Sequence, residues 1–152
     1  MSSAAADGSR RLQLKLPASP AGFSRGFDEL RHGLDVLPLD PRARFGVELV
    51  FEEVVANVLR HGSRPNGETR IQLEVALEHD AVRLVFEDDG PPFDPRERPD
   101  PAPPTDLEHA PTGGRGLMLI RRFSSGLEYL RTPEGRNRLT VTVPRVQRDG
   151  KR

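Results

Sequence analysis

The chain contains no cysteine and no tryptophan, and only one tyrosine and seven phenylalanines among its 152 residues. Without cysteine there is no disulfide scaffold, no thiolate zinc site and no thiol nucleophile, and such a chain suits a reducing compartment. Neither sign of charge is in excess, since 23 Lys and Arg stand against 23 Asp and Glu. No global field then steers the protein to nucleic acid, and any partner must be recognised by local surface. No apolar run reaches the length of a membrane span, and the opening MSSAAADGSRR lacks the hydrophobic stretch of a secretory signal. The expectation is a soluble, cytoplasmic protein with neither a membrane nor nucleic acid as its direct partner. Its length suits one domain with a single core.

Glycine and proline, by contrast, are plentiful at 14 and 15 residues. More than half of the prolines fall between 91 and 112, among charges and almost no large apolar side chains, so this segment reads as a long loop or lid. The rest is regular. Arg11 to Leu16 alternates polar and apolar residues, as a half-buried strand ending at Pro17 does. Ser19-Pro20 then caps an amphipathic helix carrying Phe23, Phe27, Leu30, Leu34 and Leu37. A second helix is predicted from the Asp40 cap to His61-Gly62, with Phe45, Leu49, Val50, Val54, Val58 and Leu59 as its apolar face. Arg70 to Glu87 predicts an antiparallel hairpin turning at His79-Asp80. Beyond the lid, Leu117, Met118, Ile120 and Phe123 predict a short helix. Leu127 and Tyr129, then Leu139, Val141 and Val143, predict two strands joined by Pro133 to Asn137. This order describes an α+β two-layer sandwich over residues 10–145, with helices on one face of a mixed or antiparallel sheet and short tails at 1–9 and 146–152.

Polar or glycine-rich residues interrupt this pattern in three places. Glu53, Asn57 and His61 lie four residues apart, on one stripe beside the apolar face of the second helix. A carboxylate and a carboxamide there suit the wall of a site, because Asn is a mediocre helix former and a good oxygen donor to a hard cation. His61, just before Gly62, also suits a C-terminal cap facing the helix dipole. Asp88-Asp89-Gly90 follows a strand, where a buried carboxylate can accept from an exocyclic amine and glycine lets the backbone approach a flat ligand. Gly113-Gly114-Arg115-Gly116 opens a helix and offers free N–H groups and the positive end of a dipole to phosphate. A Walker-type phosphate loop is absent, and the dinucleotide fingerprint fails for want of a third glycine at Leu119.

The order of these segments resembles the N, G1 and G2 boxes of the ATPase superfamily of gyrase, heat-shock chaperones, histidine kinases and mismatch-repair proteins. EEVVANVLRHG, EDDGPPFDP, GGRGLMLIRR and GRNRLTVT look like the stand-alone anti-sigma factor serine kinases of the RsbW type. The resemblance implies the Bergerat, histidine-kinase-like fold, ATP and Mg²⁺ as cofactors, and a homodimer. It also implies a sigma factor and a STAS-type anti-anti-sigma protein as partners. By the same resemblance Glu53 matches the general base, Asn57 the Mg²⁺ ligand, Asp88 the adenine-reading carboxylate and Gly90 the close approach beneath the base. Gly114 and Gly116 match the phosphate-facing turn, with Gly113 and Leu117 beside them among the nucleotide-binding candidates, and Arg115 a donor to the γ-phosphate. His61, Pro92 and Phe93 join the nucleotide-binding candidates, and Thr140 or Thr142 matches the hydroxyl that supports the adenine pocket. Pro92 stands where the wider superfamily has a second glycine. The implied activity is ATP-dependent protein serine phosphorylation coupled to sigma-factor sequestration. The alternative is a nucleotide-gated binding module without kinase activity.

Overall fold

The computed structural model describes residues 10–62, 68–97 and 116–146. Its elements run β1 (Arg11–Pro17), α1 (Pro20–Leu34), α2 (Pro41–His61), β2 (Arg70–Leu77), β3 (Ala81–Asp88), α3 (Gly116–Phe123), β4 (Gly126–Arg131) and β5 (Asn137–Pro144), with a 3-10 turn at Pro95–Glu97. The five strands form one wholly antiparallel sheet in the order β1-β2-β3-β5-β4. Alternation decides which face is covered. Leu12, Leu14, Leu16, Ile71, Leu73, Val75, Leu84, Phe86, Leu139 and Val141 point one way and pack in a single core with the helices. The neighbouring residues Gln13, Lys15, Gln72, Glu74, Arg83, Glu87, Arg138 and Thr140 line an open trough of about 430 Å³ on the other face. The architecture is the predicted two-layer α+β sandwich.

Both caps expected at the helix starts form. The Ser19 hydroxyl accepts from the Gly22 N–H at 3.0 Å and Asp40 Oδ1 from the Ala43 N–H at 2.6 Å, each contributing about 1 kcal/mol. The first helix stops earlier than its apolar spacing implies, because Asp35 caps it and Leu37 belongs to the following turn. The apolar face of α2 is rotated from the predicted one. Phe45 is 55% exposed and rests edge-on against Phe123, and Leu49 is only half-buried, whereas Val47, Val50, Phe51, Val54 and Val55 are buried. The helix packs against α1, α3 and β5 together, so its buried surface is wider than one stripe. Phe51 is its main anchor, within 6 Å of both the Phe23 and Phe27 rings.

Two stretches taken as connections carry more structure than their composition implies. Pro95, in the lid segment, is buried in the 3-10 turn, while residues 98–112 of that segment lie outside the described residues. Asn137, read as the end of a turn, is instead the first residue of β5 and only 4% exposed. No helix among the described residues is long and apolar enough to cross a membrane.

Candidate active site

The C-terminal half of α2 packs beside β5 and the end of β3, and this packing brings the polar residues together. Asn57 joins Asp88, Phe93, Pro95, Tyr129 and Asn137 around a cavity of about 30 Å³, whose remaining walls are Val54, Val58, Phe86 and Leu139. A carboxylate and two carboxamides thus face a mostly apolar slot, a donor set suited to a flat heterocycle with a few polar edges. His61, one turn beyond Asn57, stacks on Phe93 with ring centroids 5.0 Å apart and planes 18° from parallel. Pro92 is exposed on the loop between.

Glu53 lies one turn before Asn57, about 6 Å along the helix axis, and its carboxylate rests against the first residue of α3. A methyl group added at Gly116 would collide with Glu53 Oε2, so only glycine leaves that carboxylate where it is. Leu117 beside it is buried. The first and third sequence segments therefore touch, as the first and second do around the cavity. Gly113, Gly114 and Arg115 lie outside the described residues. Gly90 is also constrained from within the fold, since a side chain there would run into the carbonyl oxygen of Gly62 at the end of α2.

Asp88 is held by its own loop and by β5. Its Oδ1 accepts from the Gly90 N–H and from Asn137 Nδ2, both at 3.0 Å. Burial pushes the Asp88 carboxyl above the ordinary aspartate range, opposed by those two hydrogen bonds and, more weakly, by Arg131. The Arg131 guanidinium also donates to the Gly90 carbonyl at 2.9 Å.

Thr140 and Thr142 do not enter this site. Residues 137, 139, 141 and 143 of β5 are buried beneath the helices, which turns both threonines to the uncovered face, where Thr140 lines the trough. The polar partner of Asp88 is Asn137, directly opposite it in the β3–β5 register. Two residues before Leu139, Asn137 is in phase with the buried side of its strand. The alternation with Leu139 carries that phase in the sequence, while the nearby Pro133 and Gly135 carry turn chemistry that masks it.

A family model described as the histidine kinase-like ATPase domain matches residues 17–143. The chain belongs to the histidine kinase-like ATPase family. Among curated relatives, the serine/threonine-protein kinase BtrW of Bordetella bronchiseptica is 34% identical over 101 residues, covering 66% of this chain and 70% of BtrW. Among solved structures, the RsbU and RsbW domains of Rv1364c from Mycobacterium tuberculosis align with a TM-score of 0.60 at 20% identity over 91% of this chain. This chain spans 34% of that longer one. The SiaB–SiaC complex from Pseudomonas aeruginosa aligns with a TM-score of 0.54 at 19% identity, covering 90% of this chain and 92% of the matched one. At such identities these two support the fold alone. The likeness first seen in the motifs is thus established at the level of family and fold, and an ATPase domain makes ATP the ligand against which the site is judged.

Proposed function

We propose that this protein is an ATP- and Mg²⁺-dependent protein serine kinase. Its substrate would be a STAS-type anti-anti-sigma protein, and it would sequester a sigma factor as a homodimer. The observation that carries the reading is the convergence of Asn57, Asp88 and Asn137 on one apolar slot, with Glu53 one turn away against Gly116. The 34% identity to a serine/threonine-protein kinase supports the reaction class.

The residues fit the ligands in chemistry. Asp88 Oδ1 already has two donors, which leaves Oδ2 to accept from an exocyclic amine. Asn57 offers one carboxamide oxygen, enough where phosphates and water supply the other positions of an octahedral Mg²⁺. In size the slot is tight, because 30 Å³ holds a water and not a purine. Phe93, on the loop after β3, and Pro95, in the short 3-10 turn, form the wall not carried by α2 or the sheet, so they are the residues that would move outward to admit a base.

When bound, the nucleotide supplies the phosphoryl group and the metal neutralises its charge. The protein's part is positioning and proton transfer. Asp88 would orient the base, with Gly90 keeping the loop beneath it close to α2, and the glycine-rich segment 113–116, with Arg115 as a charge-assisted donor, would hold the phosphates. Glu53 accepts the proton of the incoming serine hydroxyl. The decisive experiment follows transfer of labelled γ-phosphate from ATP to the cognate STAS protein. Glu53→Ala is expected to lower incorporation by roughly a hundredfold or more. Equal incorporation by wild type and variant would remove Glu53 from the mechanism. ATP binding with no incorporation by wild type would leave a nucleotide-gated binder in place of a kinase.

A further inference from the structure

Asn137 lies within the GRNRLTVT segment but carries no role in the resemblance, yet it makes more polar contacts than any other side chain in the slot. Its Nδ2 donates to Asp88 Oδ1 at 3.0 Å and to the Pro91 carbonyl at 2.8 Å. Its Oδ1 accepts from the Phe93 N–H at 3.1 Å and from the Tyr129 hydroxyl. Two N–H donors and two lone pairs are the whole capacity of a carboxamide, and all four are used. The orientation of the amide is also determined. Asp88 Oδ1 and the Pro91 carbonyl receive the NH₂ group, and the Phe93 N–H, which can only donate, requires an oxygen opposite it. The side chain is 4% exposed, so each of these groups would cost free energy if left unpaired.

This wiring joins three elements. The amide holds Asp88 at the end of β3, both sides of the Pro91–Phe93 loop, and Tyr129 on β4. Because Asn137 and Gly90 both occupy Oδ1, the Asp88 carboxylate cannot rotate without losing two bonds, and Oδ2 is the oxygen left to accept from a ligand in the slot that Asp88 lines. A carboxylate held with one acceptor oxygen toward a ligand discriminates between an amine and a carbonyl at the same ring position. We infer that Asn137 is a positioning residue that sets base specificity: by clamping Asp88 it makes the slot accept a 6-aminopurine and reject a 6-oxopurine. This rests on the nucleotide-binding reading above and adds to it which residue enforces the choice of base.

The test compares equilibrium affinities for ATP and inosine triphosphate, in the presence of Mg²⁺, across the full-length wild type, Asn137→Leu, Asn137→Ala and Asp88→Asn. Leucine approximates the volume of asparagine without its polar atoms. Alanine serves should leucine fail to fold, and thermal unfolding reports which variants are native. Wild type is expected to prefer ATP roughly ten- to a hundredfold, the contribution of one charge-assisted hydrogen bond. Asn137→Leu or Asn137→Ala should bring the ratio to within about threefold of unity, and combining either with Asp88→Asn should change the ratio no further, because the two act through one hydrogen bond. A parallel loss of affinity for both nucleotides with the ratio preserved would make Asn137 merely structural and overturn the inference. A wild type that binds both nucleotides equally would overturn it as well. Failure of wild type to bind either one would be a distinct result, refuting the nucleotide-binding reading and this inference with it.

Discussion

The burial of Asp88 carries a cost to the fold. Its carboxyl titrates above the ordinary aspartate range because burial penalises the charged form. Below the ordinary range both folded and unfolded chains hold the proton, and there is no penalty. As pH rises towards the elevated native value the unfolded chain ionises first, so stability falls with rising pH through that window and stays lower above it. Ligand recognition has the opposite sign, since Oδ2 accepts best when ionised. Asp88→Asn is therefore expected to raise Tm at neutral pH and flatten its dependence on pH, while weakening ATP binding. Thermal unfolding between acid and neutral pH checks the first part, and an unchanged or lower Tm would show that the carboxylate is not penalised. At Gly116 the constraint is steric. Gly116→Ala would drive a methyl group into Glu53 Oε2 and displace the carboxylate, which is expected to cut phosphate transfer by roughly a hundredfold. Transfer at the wild-type rate would show that the position of Glu53 is immaterial.

Among the elements, the end of α2 and the end of β3 hold each other. The Gly62 carbonyl accepts from the buried Thr69 hydroxyl at 2.7 Å and lies directly over Gly90, so two backbones meet where no side chain fits. Gly90→Ala must push backbone rather than a flexible side chain, and about 1–3 kcal/mol of destabilisation is expected, measurable by denaturant unfolding. A neutral result would mean that this junction is loose. The same elements show what sequence reading reaches. Strands and helices were legible because their periods, two and 3.6, are local properties, and both cap residues marked their helix starts. The segments of the candidate site stand out in the sequence because acid, amide and glycine are out of place in apolar patterns, and of the third only Gly116 and Leu117 fall among the described residues. The exposure of Phe45 was not, since it depends on which neighbours surround α2. Asn137 and the two threonines were misplaced for a related reason. Which of two alternating sets faces the helices is fixed by strand register, and pairing with Asp88 on β3 extends that register back to Asn137, a long-range contact with no local sequence signal.

For the whole molecule, one layer of helices over one face of a sheet places Asn57, Asp88 and Asn137 on the covered side and leaves a polar trough, lined in part by Thr140, on the other. The core depends on the docking of α2, the element that carries Glu53 and Asn57, so fold and site share a foundation. Removing the Phe51 ring from the cluster with Phe23 and Phe27 is expected to cost about 3–5 kcal/mol. Nucleotide affinity should then fall in step with the loss of native protein, and unaltered stability in Phe51→Ala would contradict this coupling. The central claim is that the three segments build a single nucleotide site in which Asp88 binds and Glu53 reacts. Calorimetric titration with ATP and Mg²⁺ tests it most directly. The account predicts saturable binding by wild type, nearly unchanged affinity for Glu53→Ala, and affinity at least about tenfold weaker for Asp88→Asn. Absence of binding by wild type, or equal affinity in Asp88→Asn, would contradict it.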